Sequence, residues 1–315
     1  MFAICIESSH QRGMGHLFRA LNLARFLIEK KMPHIVLVND NDQAIKILLE
    51  NSIPFEVVNL QDFTSGWETA LIDKHNIGVW INDRLNTDVR HSAILKQKAV
   101  RLVVFDDRGS GAVNADLHIA ALVFKDRHRL AGKKILTGPQ YLILNHQIDN
   151  YKRLRTCCNK ILVTLGGSDT YGVTVNVARM LHSYGKTATL VLGPSFGHCD
   201  FIQEMLDDGF QIKGAVPSLI QEFREYDLAI TGGGVTPFEA NASGLPCIIL
   251  ANELHEMEAG EYLDQLGCSI FAGYYKEISA EVFNRSLPIE AMSRKGMETI
   301  RTGAIETIWG EIRKC

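Results

Sequence analysis

Apolar positions in the first half of the chain fall into short continuous runs, separated by longer segments in which they recur every three or four residues. The continuous runs are typical of buried strands, and they are MFAICIE, HIVLV, FEVVNL, IGVWIND and RLVVFDD. The segment after the first run has the spacing of one helix face, with apolar residues at Leu17, Ala20, Leu21, Ala24, Leu27 and Ile28. Continuous apolar strands that alternate with helices predict a parallel sheet covered on both faces, the doubly wound arrangement.

The alternation restarts after a polar segment at residues 145–159, NHQIDNYKRLRTCCN. The strand-like runs beyond it are KILVTLGG, TATLVLG, FQIKGAV, DLAITGGG, PCIILAN and CSIFAGY. A length of 315 residues suits two domains. We therefore predict an α/β protein with two doubly wound, Rossmann-like domains, at residues 1–150 and 151–290, and a ligand-binding cleft between them.

Composition and charge narrow the class of protein. The chain has 46% hydrophobic and 22% charged residues and a net charge of −3, which is the composition of a globular protein without the basic field of a nucleic-acid-binding one. No apolar run approaches the ~18 residues that span a bilayer, and residues 1–8 lack the basic start and long apolar core of a signal peptide. We expect a cytoplasmic protein without stable membrane insertion.

Cysteines and paired carboxylates give little sign of a metal. The seven cysteines are scattered, with one vicinal pair at Cys157 and Cys158 and no second pair at metal-ligand spacing, so we expect free thiols. Asp106 and Asp107 resemble a metal-binding pair, but no third carboxylate joins them, and capping of the strand end with ordering of the loop is favoured. The sequence predicts neither a metal nor another cofactor.

Glycines and polar residues cluster just after the predicted strands, where ligands of parallel sheets bind. In RGMGHLFRALNLA, Gly13 and Gly15 allow close approach of a ligand to the backbone, and a helix from near His16 would point free amides at an anion. The alternative is a simple turn from strand to helix. Phe18 replaces the third glycine of the dinucleotide fingerprint, and the lysine of a P-loop is absent, so nicotinamide and ATP sites are not favoured.

A second glycine cluster lies in DLAITGGGVTPFEANASGLP. Its backbone amides precede a helix start at Pro237 and suit a phosphate, while Glu239 could accept ribose hydroxyls or complement the helix dipole. A third loop, LGGSD, contains Ser168 and Asp169 and could line the same site or form a polar turn. Together the loops predict a diphosphate site whose residues are Gly15, Gly167, Gly233, Gly234, Val235 and Thr236.

Several motifs in order resemble a known family. They are GMGHLFRALNLA, FDDRGSGAVNADLHI, GPQYLIL, LGGSD and TGGGVTPFEANASGLPCIILANE, and they are similar to the UDP-sugar hydrolase of pseudaminic acid biosynthesis and related spore-coat polysaccharide proteins over residues 2–273. The resemblance implies a GT-B-like fold, with UDP held mainly by the C-terminal domain, the sugar in the cleft, and residues 291–315 crossing back to the first domain as a helix. It also implies metal-free hydrolysis of UDP-2,4-diacetamido-2,4,6-trideoxy-β-L-altropyranose.

The resemblance also assigns residues. His16 matches the catalytic histidine, Glu239 the ribose-binding acidic residue and Asn252 a substrate-contacting asparagine. Asp83 is retained in NDRLN, so we expect His16, Asn252 and Asp83 to be catalytic. The sugar-binding side is assigned Glu7, Arg19 and Asp107.

Three positions depart from the family pattern. Glu7 replaces an aspartate, Leu85 replaces the active-site tyrosine and Asn145 replaces an arginine. Leucine cannot transfer a proton or donate a hydrogen bond. These changes would suit a different sugar, or an acceptor other than water.

The sequence therefore leaves three functions open. In the first, His16 acts as the base that activates water, because an imidazole with an ordinary pKa near ~6.5 is largely neutral at pH 7. In the second, a GT-B glycosyltransferase, the nucleophile is a hydroxyl of a glycan or lipid-linked acceptor. In the third, the chain binds a nucleotide sugar without turnover.

Overall fold

The computed structural model describes residues 1–8, 15–122, 125, 127–167, 169–193, 196–214, 216 and 218–314. They form two compact units. The first contains Met1–Ile143 and the residues from Gly303 onward, and the second contains Leu144–Thr302. Residues 144–150 and 291–302 thus group with the second unit, whereas the sequence-based boundaries were placed at 150 and 290.

The described part of the first unit contains a seven-stranded sheet of order β3-β2-β1-β4-β5-β6-β7, parallel throughout. Its strands are β1 Phe2–Ile6, β2 His34–Val38, β3 Phe55–Val57, β4 Val79–Asp83, β5 Arg101–Phe105, β6 Leu117–Ala120 and β7 Lys134–Thr137. The helices between them are α1 Gly15–Glu29, α2 Asp42–Glu50, α3 Trp67–His75 and α4 Val89–Gln97.

Strand β1 shows why the apolar runs are continuous. Phe2, Ile4 and Ile6 pack on the face covered by α1, while Ala3 and Cys5 pack in the core of the opposite face. Since both faces are covered by helices, neither set can be polar. The sequence pattern therefore predicts β1 to β5 correctly.

The described part of the second unit contains a six-stranded parallel sheet of order β10-β9-β8-β11-β12-β13. The strands are β8 Ile161–Thr164, β9 Thr189–Val191, β10 Gln211–Lys213, β11 Leu228–Gly232, β12 Cys247–Ala251 and β13 Ser269–Tyr274. The helices are α5 Val173–Ser183, α6 Ile202–Asp207, α7 Leu219–Phe223, α8 Thr236–Ala242, α9 Met257–Gln265 and α10 Ile289–Thr299. The prediction of two doubly wound α/β units is confirmed.

The last helix, α11 Ala304–Lys314, belongs to the first unit. Ile308 and Ile312 are buried in the core of the α1 face. The Trp309 ring lies 5.5 Å from the ring of Phe2, centroid to centroid, and Arg101 donates a hydrogen bond of 2.8 Å to the carbonyl oxygen of Ile312. Helix α11 therefore packs on the same face of the seven-stranded sheet as α1.

The polar segment 145–159 belongs to the second unit, and the buried side chain of Arg155 anchors it there. The Arg155 side chain is fully buried and donates to the carbonyl oxygens of Arg153, Phe223, Tyr226 and Ser243. Burial lowers the pKa of Arg155 to about 9. The guanidinium satisfies carbonyls that would otherwise be unpaired inside the unit.

The free thiols that the sequence predicts are found at Cys5, Cys157, Cys158, Cys247 and Cys268. Within the described ranges, no helix is long and apolar enough to cross a membrane.

Candidate functional site

The strand order of the first unit reverses between β1 and β4, and this is where open α/β sheets bind ligands. Ile6, the last residue of β1, pairs with Asp83, the last residue of β4. His16 lies in the first turn of α1, which follows β1. The imidazole Nδ1 of His16 is 2.6 Å from Oδ1 of Asp83, and His16 is only 8% exposed. The structure thus brings together two predicted catalytic residues.

Asp83 determines which nitrogen of the His16 ring carries hydrogen. Burial raises the pKa of Asp83, but the charges and hydrogen bonds of Arg19 and His16 outweigh burial and lower it to about 2. A carboxylate only accepts hydrogen bonds, so we assign the hydrogen to Nδ1 of His16. In the neutral ring, Nε2 is then the nitrogen that can accept a proton.

The side chain of Arg19, which the resemblance assigns to the sugar-binding side, contacts two carboxylates of the protein. Its Nε donates to Oδ2 of Asp83 at 2.6 Å and its Nη2 to Oδ1 at 2.5 Å, while Nη1 donates to Oδ2 of Asp106 at 2.7 Å. The guanidinium also lies 4.9 Å from the ring centroid of Phe105. Because the residue is 8% exposed and bound to two carboxylates, the structure favours a role inside the protein over contact with a sugar.

Asp107, also assigned to the sugar-binding side, is bonded to two neighbouring loops of the protein. Its carboxylate accepts hydrogen bonds from the backbone amide and hydroxyl of Thr87 and from the amide of Gly109. The residue is buried. These contacts favour the alternative of loop ordering, since they join the loops that follow β4 and β5.

The remaining predicted positions of the first unit lie at the same edge of the sheet. Glu7 follows β1 and is partly exposed, and the next residue, Ser8, is bonded to the side chain of Asn39 after β2. Gly15 is the first residue of α1 and is exposed. Leu85 is 36% exposed and has a left-handed φ of 63°. Gly13, which the sequence placed in the turn, lies outside the described residues.

In the second unit, a glutamate that sequence reasoning missed lies against the glycine loop. Oε2 of Glu256 accepts from the backbone amide of Asn252 at 2.8 Å, and from those of Gly233 and Glu253 at 3.4 Å each. Burial raises the pKa of Glu256. The amide of Gly233, predicted to bind phosphate, is therefore already used by a side chain of the protein. The signal that could have found Glu256 is its spacing of three residues from Glu253, with which it forms a capping box.

The other predicted phosphate residues flank that contact. Gly234 and Val235 precede α8, which Thr236 begins, and amides at a helix start have no intrahelical partner. Gly167 follows β8 and lies close to Gly193, which follows β9. A Cβ placed on Gly193 would lie 2.2 Å from the carbonyl oxygen of Gly167. The two strand ends are thus held close together. Ser168 lies outside the described residues, and Asp169 caps α5 by accepting from the amides of Val173 and Thr174.

Glu239 and Asn252 have unusual polar surroundings. Burial raises the pKa of Glu239 to about 7, although a backbone hydrogen bond from Asn145 opposes this. Nδ2 of Asn252 donates to the carbonyl oxygen of Leu165 at 3.3 Å, and its Oδ1 is buried without a partner in the described structure. A carboxyl and an amide oxygen near the ends of β11 and β12 can both accept hydroxyl groups.

Replacing Gly233 by alanine should disturb this region, whereas the same change at Gly214, to which no role is assigned, should not. A Cβ on Gly233 would lie 2.6 Å from Cβ and 2.7 Å from the carbonyl oxygen of Glu256, so the loops must move at a cost of about 1–3 kcal/mol. A Cβ on Gly214 meets nothing within 4 Å. Thermal unfolding and calorimetric titration with UDP measure both effects. A Gly233→Ala protein with wild-type stability and UDP affinity would contradict the prediction.

The described residues contain no group of three or more histidine, cysteine, aspartate or glutamate side chains that could hold a metal ion.

Comparisons with known proteins give relatives of limited similarity. No family model matches the chain. An uncharacterised protein of Methanocaldococcus jannaschii is 29% identical over 288 residues, which cover 84% of this chain and 58% of that protein, so the chain spans little more than half of that relative. The spore coat polysaccharide biosynthesis protein SpsG of Bacillus subtilis is 20% identical over 286 residues, covering 86% of this chain and 83% of SpsG.

Solved structures match the chain over its full length. MurG of Acinetobacter baumannii has a TM-score of 0.68 at 13% identity, covering 100% of this chain and 99% of MurG. HepE of Anabaena, solved in complex with UDP and glucose, has a TM-score of 0.67 at 16% identity, with 100% and 99% coverage. These likenesses, together with the two parallel sheets, show that the chain has the fold of the GT-B glycosyltransferases.

Proposed function

We propose that this chain is an enzyme that hydrolyses a UDP-linked deoxy-acetamido sugar, releasing UDP and the free sugar with inversion, in nonulosonic acid or surface polysaccharide biosynthesis. The observation that carries the proposal is the 2.6 Å contact between Nδ1 of His16 and Asp83 at the point where the strand order reverses. A buried carboxylate that orients an imidazole is the arrangement by which enzymes prepare a general base.

We assign the binding of UDP to the second unit. Glu239 accepts the ribose hydroxyls, and the amides of Gly234, Val235 and Thr236 face the diphosphate. HepE, which has the same fold, was solved with UDP and glucose, which supports a UDP-sugar substrate. SpsG is named for polysaccharide biosynthesis, which supports the proposed pathway class. Glu256 limits this assignment, since it occupies the amide of Gly233.

The chemistry follows from the proton that Nε2 of His16 can accept. As the water oxygen bonds to the anomeric carbon, His16 takes one of its protons and Asp83 stabilises the imidazolium through Nδ1–H. The bond from the anomeric carbon to the UDP oxygen breaks, and its electron pair remains on the diphosphate. Backbone amides at the glycine loop stabilise that charge. Attack on the face opposite UDP inverts the anomeric centre.

Glycosyl transfer is the second candidate, and Leu85 favours it. This leucine is partly exposed where the resembled hydrolases have an active-site tyrosine, so one polar group that would hold water or substrate is missing. The same base would then deprotonate a hydroxyl of a glycan or lipid-linked acceptor. MurG and HepE have the same fold, and their match leaves the two reactions equally supported.

Measuring UDP release from a panel of UDP-sugars, with and without hydroxyl acceptors, tests the proposal. Release without an acceptor is expected for the hydrolase. Release that depends on an acceptor would replace hydrolysis by transfer. Binding of UDP without release from any sugar would overturn both and indicate a nucleotide-sugar-binding protein without turnover.

A further inference from the structure

Arg19 joins parts of the first unit that are distant in sequence. It lies on α1, three residues after His16 and therefore on the same side of the helix. It binds Asp83 at the end of β4 through two nitrogens, and through a third it binds Asp106, the residue after β5. Oδ1 of Asp106 in turn accepts from the amide of Leu122, beyond β6. The guanidinium thus connects one helix with the ends of consecutive strands.

We propose that Arg19 is a positioning residue, which fixes Asp83 against His16 and, together with Asp106, sets the charge that the His16 ring experiences. The inference rests on the proposed function, in which His16 is the base. Arg19 itself need not touch the substrate. This role also explains why its guanidinium is buried on carboxylates rather than exposed.

The charges around His16 balance when it accepts a proton. Within the described part of the chain, His16 contacts Asp83, Asp83 contacts Arg19, and Arg19 contacts Asp106. The three partners carry one net negative charge beside a neutral imidazole. Proton uptake by His16 brings the cluster to neutrality. A cluster without Arg19 would hold two negative charges, which favour the protonated ring over the neutral ring that acts as a base.

Geometry requires an arginine at this position. A planar guanidinium presents donors in a fixed fork, and this one uses two of them on Asp83 and a third on Asp106. A lysine would supply the charge but not the paired contact. Asp106 has a left-handed φ of 47°, a strained conformation that the bonds to Arg19 and Leu122 help to hold.

Two substitutions that change the charge of the cluster in opposite directions test the role of Arg19. In Arg19→Gln the acid limb of the kcat/KM profile against pH is expected to move up by about one pH unit or more, because the protonated ring is stabilised. In Asp106→Asn it is expected to move down, because one negative charge is lost. Arg19→Lys should keep the limb near its wild-type pH but lower kcat. Arg25→Gln, on the same helix and bonded to Asn51, is the matched control and should change neither.

A second measurement keeps the inference separate from the proposed function. In protein labelled with ¹⁵N-histidine, the His16 signal is identified by its absence from His16→Ala, and its ring shifts report the tautomer and protonation without any turnover. Folded variants whose His16 signals respond to pH as in wild type, or in which the Arg19 and Asp106 changes act in the same direction, would overturn the role of Arg19. Expected His16 shifts in a protein that turns over no UDP-sugar would overturn the proposed function alone.

Discussion

Replacing His16 by alanine is expected to lower kcat by about 10²–10⁴-fold while changing the dissociation constant for UDP less than about threefold. The ring is held by Asp83 in the first unit, whereas the residues assigned to the nucleotide, apart from the backbone of Gly15, belong to the second unit. Removing the base should therefore raise the barrier of the chemical step without removing a nucleotide contact. Steady-state kinetics with the active UDP-sugar, combined with calorimetric titration of UDP, measures both quantities.

Two variants sharpen that experiment. Asp83→Asn keeps the size of the side chain but removes the charge that orients the ring, and a loss approaching that of His16→Ala is expected. His182→Ala removes a half-exposed histidine of the second unit and should leave kcat unchanged. A parallel loss of UDP affinity in His16→Ala would instead make His16 a phosphate contact or a structural residue.

Glu239 is expected to make the second unit less stable as pH rises from about 4.5 to 7. Its pKa is raised to about 7 by burial, while in the unfolded chain the carboxyl ionises near its ordinary value of 4.5. Between these values the folded state binds the extra proton, so the free energy of unfolding falls with rising pH, by about 3 kcal/mol in total. Urea unfolding across this range should show a larger fall in wild type than in Glu239→Gln, because Glu256, whose pKa burial also raises, contributes to both.

The control for this change is the exposed carboxyl of Glu225, since Glu225→Gln should preserve the wild-type dependence on pH. Nucleotide binding provides a further readout. If the ionised carboxylate accepts ribose hydroxyls, the UDP affinity of wild type should increase over the same pH range, and that of Glu239→Gln should not. A wild-type stability curve that matches Glu239→Gln at every pH would contradict the prediction.

The fold was largely predictable because a covered parallel sheet leaves a strong pattern. All six strands of the second unit and β1 to β5 coincide with apolar runs. The strands β6 and β7 were missed for a physical reason. β6 contains a buried histidine, His118, whose ring nitrogens bond to Ala131 and Asp107, and β7 begins with an exposed lysine, so neither reads as a continuous apolar run.

For the candidate site, the sequence predicted which residues follow a strand but not which of those residues contact each other. His16 follows a strand, so its position at one edge of the sheet was predictable. Its contact with Asp83 requires β1 to lie next to β4, and that strand order is seen only in the structure. For the same reason Arg19 was assigned to the sugar. The spacing of Glu256 from Glu253 indicates a capping box, but its contact with the amide of Gly233 depends on the packing of two segments that are distant in sequence.

The position of α11 has a consequence for the order of folding during synthesis. Domains usually fold in the order in which they leave the ribosome. Here the second unit is one continuous segment, whereas the first unit lacks Ile308, Ile312 and Trp309 from its core until the whole of the second unit has been made. The N-terminal sheet is therefore synthesised first and completed last, and until α11 arrives the rings of Phe2 and Phe26 have no Trp309 to pack against. The half of the chain that contains His16 is the half that a nascent-chain chaperone would have to protect longest.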